Sequence, residues 1–234
     1  MHIIYDAMWN QFRHAMTHNS AQLDPYLNHL EQDTRRGISA LAYLNQSASP
    51  LLDELAKFQQ CIRLIEPNQY FHPLDELHLT VLSIISCISD LTMDQLDLNP
   101  YREIFWEVMQ KSRPITVQYR GISASSNCIV VQGFVKDDAL EQLRDTLRHE
   151  LRGAQLRCSF DTRYKLMTAH SSLIRFKSPL KDPSCLFATC QRYRSYEFGS
   201  LDLNQFDLVF NNWYQNRDCT HLLAHYSAIT TASL

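Results

Sequence analysis

The sequence feature that most constrains the fold is an apolar stretch from Glu76 to Ile85 that carries a histidine and a threonine two positions apart. Side chains of a β-strand alternate between its two faces, so His78 and Thr80 share one face. Leu82 and Ile84 follow on that face, while apolar residues dominate the other. The stretch therefore predicts a strand that is backed by a core and presents polar groups at one end.

A second stretch, from Thr168 to Phe176, repeats this pattern. The alternation places His170 and Ser172 on one face, with Ile174 and Phe176 after them on the same face. Each copy of histidine-x-hydroxyl thus lies on a predicted strand. Two such strands in one chain indicate two similar halves that bring two imidazoles into one cleft.

The composition is that of an ordinary globular protein, with 45% hydrophobic and 20% charged residues in a chain of 234. The chain has 22 basic and 25 acidic residues and a net charge of −3. This balance argues against the broad basic surface that binds long DNA or RNA. A phosphorylated ligand would need local positive charge.

Seven scattered cysteines form no Cys-x-x-Cys pair, which leaves zinc-finger and thioredoxin-like sites without support. An odd number of scattered thiols favours a reducing, cytoplasmic setting. The first residues do not combine a basic segment with an apolar one, and no stretch reaches the ~20 apolar residues of a membrane span. We therefore expect a cytoplasmic protein.

Hydrophobic periodicity and capping residues predict an α+β fold, because strands and helices are mixed without strict alternation. No glycine-rich turn of the P-loop or dinucleotide type is present. Residues 1–36 are interpreted as a helical extension on a main domain of residues 37–234, either shaping one rim of the cleft or packing without a function. The predicted helices cover residues 6–18, 50–65, 138–153 and 182–194, with another starting at 99; the predicted strands cover 38–44, 76–85, 115–122, 128–134, 168–176, 203–213 and 220–229.

Two histidines on opposite sides of a ligand suit displacement at phosphorus. Such a reaction needs a base on the attacking oxygen and an acid on the leaving oxygen, at opposite apices. The reference pKa of histidine, near 6.5, lets one imidazole be neutral and the other protonated at neutral pH. Hydroxyls two residues further along each strand can donate to the non-bridging phosphate oxygens. This scheme requires no metal or other cofactor.

The segments His78-Leu79-Thr80-Val81 and His170-Ser171-Ser172-Leu173 resemble the paired H-x-[T/S]-hydrophobic motifs of the two-histidine (2H) phosphoesterase superfamily, the LigT-like or 2′-5′ RNA ligase/cyclic phosphodiesterase group. The resemblance covers residues 37–229 and leaves the first 36 residues unmatched. It implies a bilobal α+β fold with two antiparallel sheets around a central cleft and helices on the outside. It also implies metal-independent hydrolysis or ligation of 2′,3′-cyclic, 2′-5′ or related phosphoesters, with an RNA terminus or small nucleotide as partner.

The same resemblance assigns roles to individual residues. His78 corresponds to the proton donor to the leaving oxygen, and His170 to the proton acceptor from water. Thr80 and Ser172 become the phosphate-binding hydroxyls. Two departures stand out: Ser172 replaces the commoner threonine and loses the β-branch that stiffens its side chain, and Ser171 occupies a position that is usually apolar.

Several side chains near the motifs are candidates for binding the rest of the ligand. Tyr164 is placed to stack on a base, although an aromatic near a strand end also suits the core. Arg163 and Lys165 supply positive charge just before the second motif. Strict alternation puts Arg175 on the face opposite His170, where we expect it to be exposed to solvent or to form a salt bridge. Tyr70 and His72 precede the first motif and complete this group of candidates.

Other interpretations remain open at this point. Gln132 interrupts an apolar strand and either faces the cleft or is a satisfied core residue. His221 and His225 have the i, i+4 spacing of zinc helices but lie in a predicted strand without the glutamate of H-E-x-x-H, and no G-x-S-x-G elbow is present. A nucleotide- or RNA-end-binding protein without turnover is the alternative function. Two hydrogen-bonded core histidines without any function are the third interpretation.

Overall fold

The strands form two antiparallel sheets, with the helices packed around them. The computed structural model describes residues 2–46, 49–160, 162 and 165–228. Among these residues, no helix is long and apolar enough to cross a bilayer. The elements are α1 His2–Thr17, β1 Arg36–Tyr43, α2 Pro50–Ile65, β2 Tyr70–Phe71, β3 His78–Ile88, α3 Asn99–Gln110, β4 Ile115–Ala124, β5 Cys128–Val135, α4 Ala139–Gly153, β6 Ser171–Arg175, α5 Pro183–Arg192, β7 Glu197–Leu203, β8 Gln205–Asn212 and β9 His221–Ser227.

The two strands that begin at the histidine motifs lie in different sheets. One sheet has four strands in the order β3-β1-β8-β9, and the other has five in the order β2-β6-β5-β4-β7. β3 is an edge strand, whereas β6 lies inside its sheet between β2 and β5. The predicted α+β fold with two antiparallel sheets is confirmed.

Local sequence signals explain most of these elements. At the start of α2 the Ser49 hydroxyl accepts the N–H of Leu51, and Pro50 occupies the first helical position. Leu51, Leu55, Phe58 and Ile62 of this helix are buried in the core, and Pro67 lies just beyond its end. The hairpin of β4 and β5 also forms where the sequence predicted it.

Two strands of the structure, β2 and β7, were not predicted from the sequence. β2 has two residues, too few to show a period. β7 carries two acidic residues and Gly199, whose φ of +132° lies in a region that other residues rarely adopt. A register shift in its pairing with β4 accompanies this glycine. Because of its polar composition and this irregularity, β7 shows no alternating apolar pattern, and the sequence did not predict it as a separate strand.

β3 departs from regular pairing at three points, one of them where Arg36 and Ile38 of β1 pair with Ile88 and Ile85. Its pairing with β1 skips Val81 and Ile84, so each of these residues marks a β-bulge. A bulge turns the residues beyond it to the other face of the strand. The faces of β3 therefore differ from those that strict alternation predicts.

The N-terminal helix belongs to the same packed structure as the sheets. The Tyr5 hydroxyl lies 3.1 Å from the carbonyl oxygen and 3.2 Å from the backbone nitrogen of Gly133 on β5. Ser123 on β4 donates to the Tyr5 carbonyl at 2.8 Å. Phe12 is fully buried in the main core. α1 is thus held by buried polar and apolar contacts rather than lying loosely on the surface.

Candidate active site

A cleft of about 220 Å³ lies where β3 of one sheet meets β6 of the other. Its walls include His78, Thr80, His170 and Ser172. The structure therefore brings together, from two sheets, all four residues that the sequence assigned to proton transfer and phosphate binding. The fifth predicted site residue, Tyr164, lies outside the described residues.

The His78 ring is oriented by the chain just before it. Its Nδ1 lies 2.8 Å from the carbonyl oxygen of Glu76. Because a carbonyl only accepts, Nδ1 carries a proton and neutral His78 has its lone pair on Nε2. The Glu76 carboxylate in turn accepts from the Arg217 backbone at 2.9 Å and from the Asn216 side chain at 3.1 Å. These bonds fix the turn from which β3 starts.

His170 lies immediately before β6 rather than within the strand as predicted. Its Nδ1 is 2.8 Å from the Thr168 hydroxyl, which both donates and accepts and therefore accommodates either tautomer of the ring. A Cβ on Gly133 would collide with the Ala169 carbonyl. This glycine therefore lets the segment that carries His170 run close against β5.

Both imidazoles are less basic than a free histidine. Burial, together with the positive charges of Arg175 and Arg217, lowers the pKa of His78 to about 4, against a raising effect of the Glu76 bond. Burial, Arg144, His78 and Arg175 lower the pKa of His170 to about 4. In the free cleft at neutral pH both rings are therefore uncharged. An anion bound between them would raise both pKa values.

Arg175 faces the cleft, contrary to the sequence prediction. The pairing of β5 with β6 skips Leu173, which marks a bulge between Ser172 and Ile174. The bulge turns Arg175 to the face of His170 and Ser172, where it lines the cleft. Its Nε is buried and has no hydrogen-bond partner among the described residues.

Because of the same bulge, two apolar side chains lie on the opposite face from the one that the sequence predicted. Ile174 and Phe176 were predicted to share the face of His170, but both are fully buried in the core and neither lines the cleft. On β3, Ile84 is likewise in the core, while Ser83 and Ser86 line the cleft instead. Leu82 lies on the cleft wall as expected. The polar wall is thus longer than the motifs alone predict.

Arg175 carries the one permanent charge among the described residues of the cleft wall. The other side chains are hydroxyls, amides, imidazoles, aromatic rings, aliphatic groups and one thiol. A third imidazole, that of His72, has a buried Nε2 without a partner among the described residues. Sequence reasoning missed much of this wall, which comes from β1, the end of β3, the segment before β6, and the end of β8 with the residues after it: Ser39, Cys87, Ser159, Phe160, Thr162, Leu166, Asn211, Trp213, Tyr214 and Gln215.

The N-terminal region reaches the cleft wall through Arg35. Its guanidinium forms two 2.7 Å bonds with the carboxylate of Asp33 and donates to the Tyr214 hydroxyl at 3.1 Å. It also lies 4.2 Å from the ring centre of Tyr26 and 5.2 Å from that of Trp213. Trp213 and Tyr214 line the cleft, so the segment around Arg35 supports one side of it.

The remaining candidates lie away from the cleft. Gln132 is buried beside Gly121 and is a core residue. Lys165 pairs with two carboxylates on α4. His225, on strand β9, lies 2.6 Å from a carboxylate oxygen of Asp207. No group of three or more histidine, cysteine or acidic side chains in the described residues is arranged to hold a metal.

The fold is similar to those of several solved proteins at low sequence identity. TT0787 of Thermus thermophilus matches with a TM-score of 0.57 and 15% identity, over 82% of this chain and 97% of that one. ATU0111 from Agrobacterium tumefaciens strain C58, a conserved protein of unknown function, gives a TM-score of 0.55 and 15% identity, over 89% and 94%. Escherichia coli LigT in complex with 3′-AMP gives 0.50 and 13%, over 83% and 98%.

The sequence itself matches no protein-family model and no curated protein. Likeness therefore lies in the arrangement of the strands and helices rather than in overall sequence. This chain has the LigT-like fold that its two histidine motifs predicted.

Proposed function

We propose that this protein is a metal-independent phosphodiesterase that hydrolyses a 2′,3′-cyclic, 2′-5′ or similar phosphoester of a small nucleotide or an RNA end. One observation carries this proposal. Two histidine-x-hydroxyl segments from different sheets meet in one cleft, beside an arginine whose Nε has no hydrogen-bond partner in the described structure. This set of groups supplies two proton-transfer residues and several donors for a phosphate.

In the proposed reaction His170 takes a proton from the attacking water through Nε2. His78 donates a proton to the leaving oxygen, for which it must first be protonated at Nε2, since Nδ1 is committed to the Glu76 carbonyl. The negative charge of the bound phosphate favours this protonated state. Thr80, Ser172 and Arg175 donate to the non-bridging oxygens, where charge is held through the transition state.

The dimensions and charge of the cleft favour a small ligand or a chain terminus. A volume of about 220 Å³ and a single arginine suit one phosphoester better than a polyphosphate or a long strand. The neutral hydroxyl and amide groups along β3 and β8 suit a nucleoside, and Trp213 and Phe160 offer aromatic surface for its base. Tyr164 remains a proposed stacking residue. The crystal structures of E. coli LigT with 3′-AMP and with NADP⁺ support a nucleotide ligand.

A binding protein without turnover is the second candidate. The pKa values near 4 leave neither imidazole charged in the free cleft at neutral pH. A general acid works best with a pKa near the working pH. This observation favours a nucleotide- or RNA-end-binding role if a bound phosphate fails to raise the pKa of His78.

None of the seven cysteines, all of which lie in the described residues, forms a disulfide, and Cys185 is exposed. Free thiols are typical of proteins from reducing compartments. We propose a cytoplasmic location on this basis.

The test is hydrolysis of a panel of 2′,3′-cyclic mononucleotides, 2′-5′ linked dinucleotides and ADP-ribose 1″,2″-cyclic phosphate in the presence of EDTA. We expect turnover of at least one substrate class that EDTA does not reduce. Turnover that EDTA abolishes would overturn the metal-independent mechanism. Tight binding of the same compounds without turnover would favour the binding protein.

A further inference from the structure

A buried arginine lies directly behind the two histidine segments. Arg144 projects from α4, and only 1% of its surface is exposed. It does not line the cleft, and neither motif includes it. Burying a guanidinium away from water is costly unless its donors are used. The hydrogen bonds that Arg144 makes therefore indicate its role in the structure.

Arg144 binds the main chain of both motif segments. Its Nε donates to the Val81 carbonyl at 2.8 Å, and Nη2 donates to the Thr80 carbonyl at 3.0 Å. The same Nη2 donates to the carbonyl of Thr168 at 2.7 Å. Thr80 carries a motif hydroxyl, and Thr168 holds the ring of His170. One side chain thus connects the two segments, which belong to different sheets.

The bulge in β3 makes this contact possible. Successive carbonyls of a regular strand point to opposite sides, so one guanidinium would reach only one of them. At the bulge the pairing with β1 skips Val81, and the carbonyls of Thr80 and Val81 both accept from Arg144. Because β3 is an edge strand, its outer side is free of ladder bonds and open to α4.

The charge of Arg144 is not neutralised by a bonded carboxylate. Glu141 and Asp145, on the same helix, act on it only at longer range, and no described carboxylate forms an ion pair with it. Both of these acidic groups contact Lys165 instead. Arg144 therefore places a largely uncompensated positive charge behind His170.

We propose that Arg144 is a positioning residue of this site, which fixes the spacing between the His78 and His170 segments and supplies buried positive charge to the cleft. This inference rests on the proposed function for its effect on turnover, but its effect on the histidines does not depend on turnover. The groups that act on His170 are His78, Arg144 and Arg175, together with the bonded hydroxyl of Thr168.

Two substitutions separate the positioning effect from the charge effect. Arg144→Met removes both the charge and the three bonds, whereas Arg144→Lys keeps the charge but loses the planar fork that reaches both segments. We expect both variants to lower kcat by about 10²-fold, the cost of a small misplacement of reacting groups, with little change in KM. Arg102→Met is the control, because Arg102 on α3 also donates to a main-chain carbonyl, that of Leu223 on β9, but neither residue lines the cleft.

NMR titration of the His170 ring gives a readout that does not require an active enzyme. Loss of the nearby cation in Arg144→Met should raise the pKa of His170, while Arg144→Lys and Arg102→Met should leave it close to wild type. A folded Arg144→Met protein with an unchanged His170 titration, and with kcat within about threefold of wild type, would overturn the proposal. If wild type hydrolyses nothing, the proposed function fails and the titration still decides the role of Arg144.

If the Arg144 variants do not fold, the wild-type protein provides the test. Three bonds to carbonyls should slow exchange of the Arg144 Nε hydrogen and hinder rotation of its guanidinium, which gives separate Nη resonances. An Arg144 guanidinium that exchanges and averages like that of the exposed Arg113 would overturn the proposal.

Discussion

The hydroxyl of Thr168 lies 2.8 Å from Nδ1 of His170 and holds the ring at the edge of the cleft. Thr168 precedes the histidine motif by two positions and is not part of it. Its carbonyl oxygen also accepts from Arg144. The side-chain hydroxyl and the main-chain carbonyl of Thr168 thus both help to position His170.

Replacing Thr168 with valine keeps the shape of the side chain and removes the bond to His170. We expect kcat to fall about 10- to 100-fold, the range seen when the orienting partner of a functional histidine is lost. The free energy of unfolding should fall by about 1 kcal/mol, the value of one hydrogen bond. Thr168→Ser is the matched control, since it keeps the hydroxyl and should retain most activity. Equal activity of the valine and serine variants would show that the bond is irrelevant.

The imidazoles of the buried His72 and of the half-buried His78 and His170 should make the unliganded protein less stable in mild acid. Burial lowers the pKa of His78 and His170 to about 4 and that of His72 below its ordinary value. Unfolding returns each ring to a pKa of about 6.5. Between these values the unfolded chain binds protons that the folded protein does not, so the free energy of unfolding decreases as the pH falls from about 6.5 to 4.

The steepness of this loss is measurable by urea unfolding at pH 7, 6 and 5. Each imidazole contributes up to about 1.4 kcal/mol per pH unit inside the window. His72→Gln should make the profile less steep. A stability that is constant between pH 7 and 5 would show that folding does not lower the pKa values of these rings.

Anion binding should strengthen as the pH falls. A dianion between His78 and His170 raises their pKa values, so binding takes up protons wherever the pH lies between the free and bound values. Sulfate is a suitable probe, because its own charge is constant in this range. Isothermal titration at pH 7, 6 and 5 should show progressively tighter sulfate binding, and His170→Gln should weaken this dependence. Affinity that is independent of pH would place the anion away from both imidazoles.

Arg175 should contribute more to substrate binding than its place in the sequence pattern suggests. A charged hydrogen bond is worth about 1.5–3 kcal/mol, so Arg175→Gln should weaken phosphoester binding about 10- to 100-fold. Arg175→Lys keeps the charge without the fork and should recover part of this loss. The exposed Arg113, which pairs with Asp137, provides the control variant Arg113→Gln. A KM that is equal in wild type and Arg175→Gln would contradict the assignment.

Much of the fold was predictable because its signals are local. Ser49 and Pro50 start α2 as their chemistry requires, and the hairpin from Ile115 to Val135 follows from two apolar runs around a short polar loop. The two histidine motifs were also visible, since each places a polar pair in an apolar strand. The prediction that both motifs line one cleft needed only the assumption that their strands face each other.

The parts that sequence reasoning missed depend on irregular backbone and long-range contact. Bulges at Val81, Ile84 and Leu173 exchange the faces of β3 and β6, and a strict period of two cannot anticipate them. They bring Arg175 and Ser83 into the cleft. Arg144 sits on the apolar side of a predicted helix, and only the packed structure shows that its partners are main-chain carbonyls 63 and 24 positions away.

The two-histidine mechanism is tested most directly by single-turnover hydrolysis in EDTA. Wild type, His78→Gln, His170→Gln and His225→Gln are compared on the best substrate of the panel. We expect each motif variant to remain folded, to bind the substrate, and to lose at least about 10²-fold in rate, as when a general acid or base is removed. His225→Gln should match wild type. Folded His78→Gln and His170→Gln proteins that retain the wild-type rate would contradict the two-histidine mechanism.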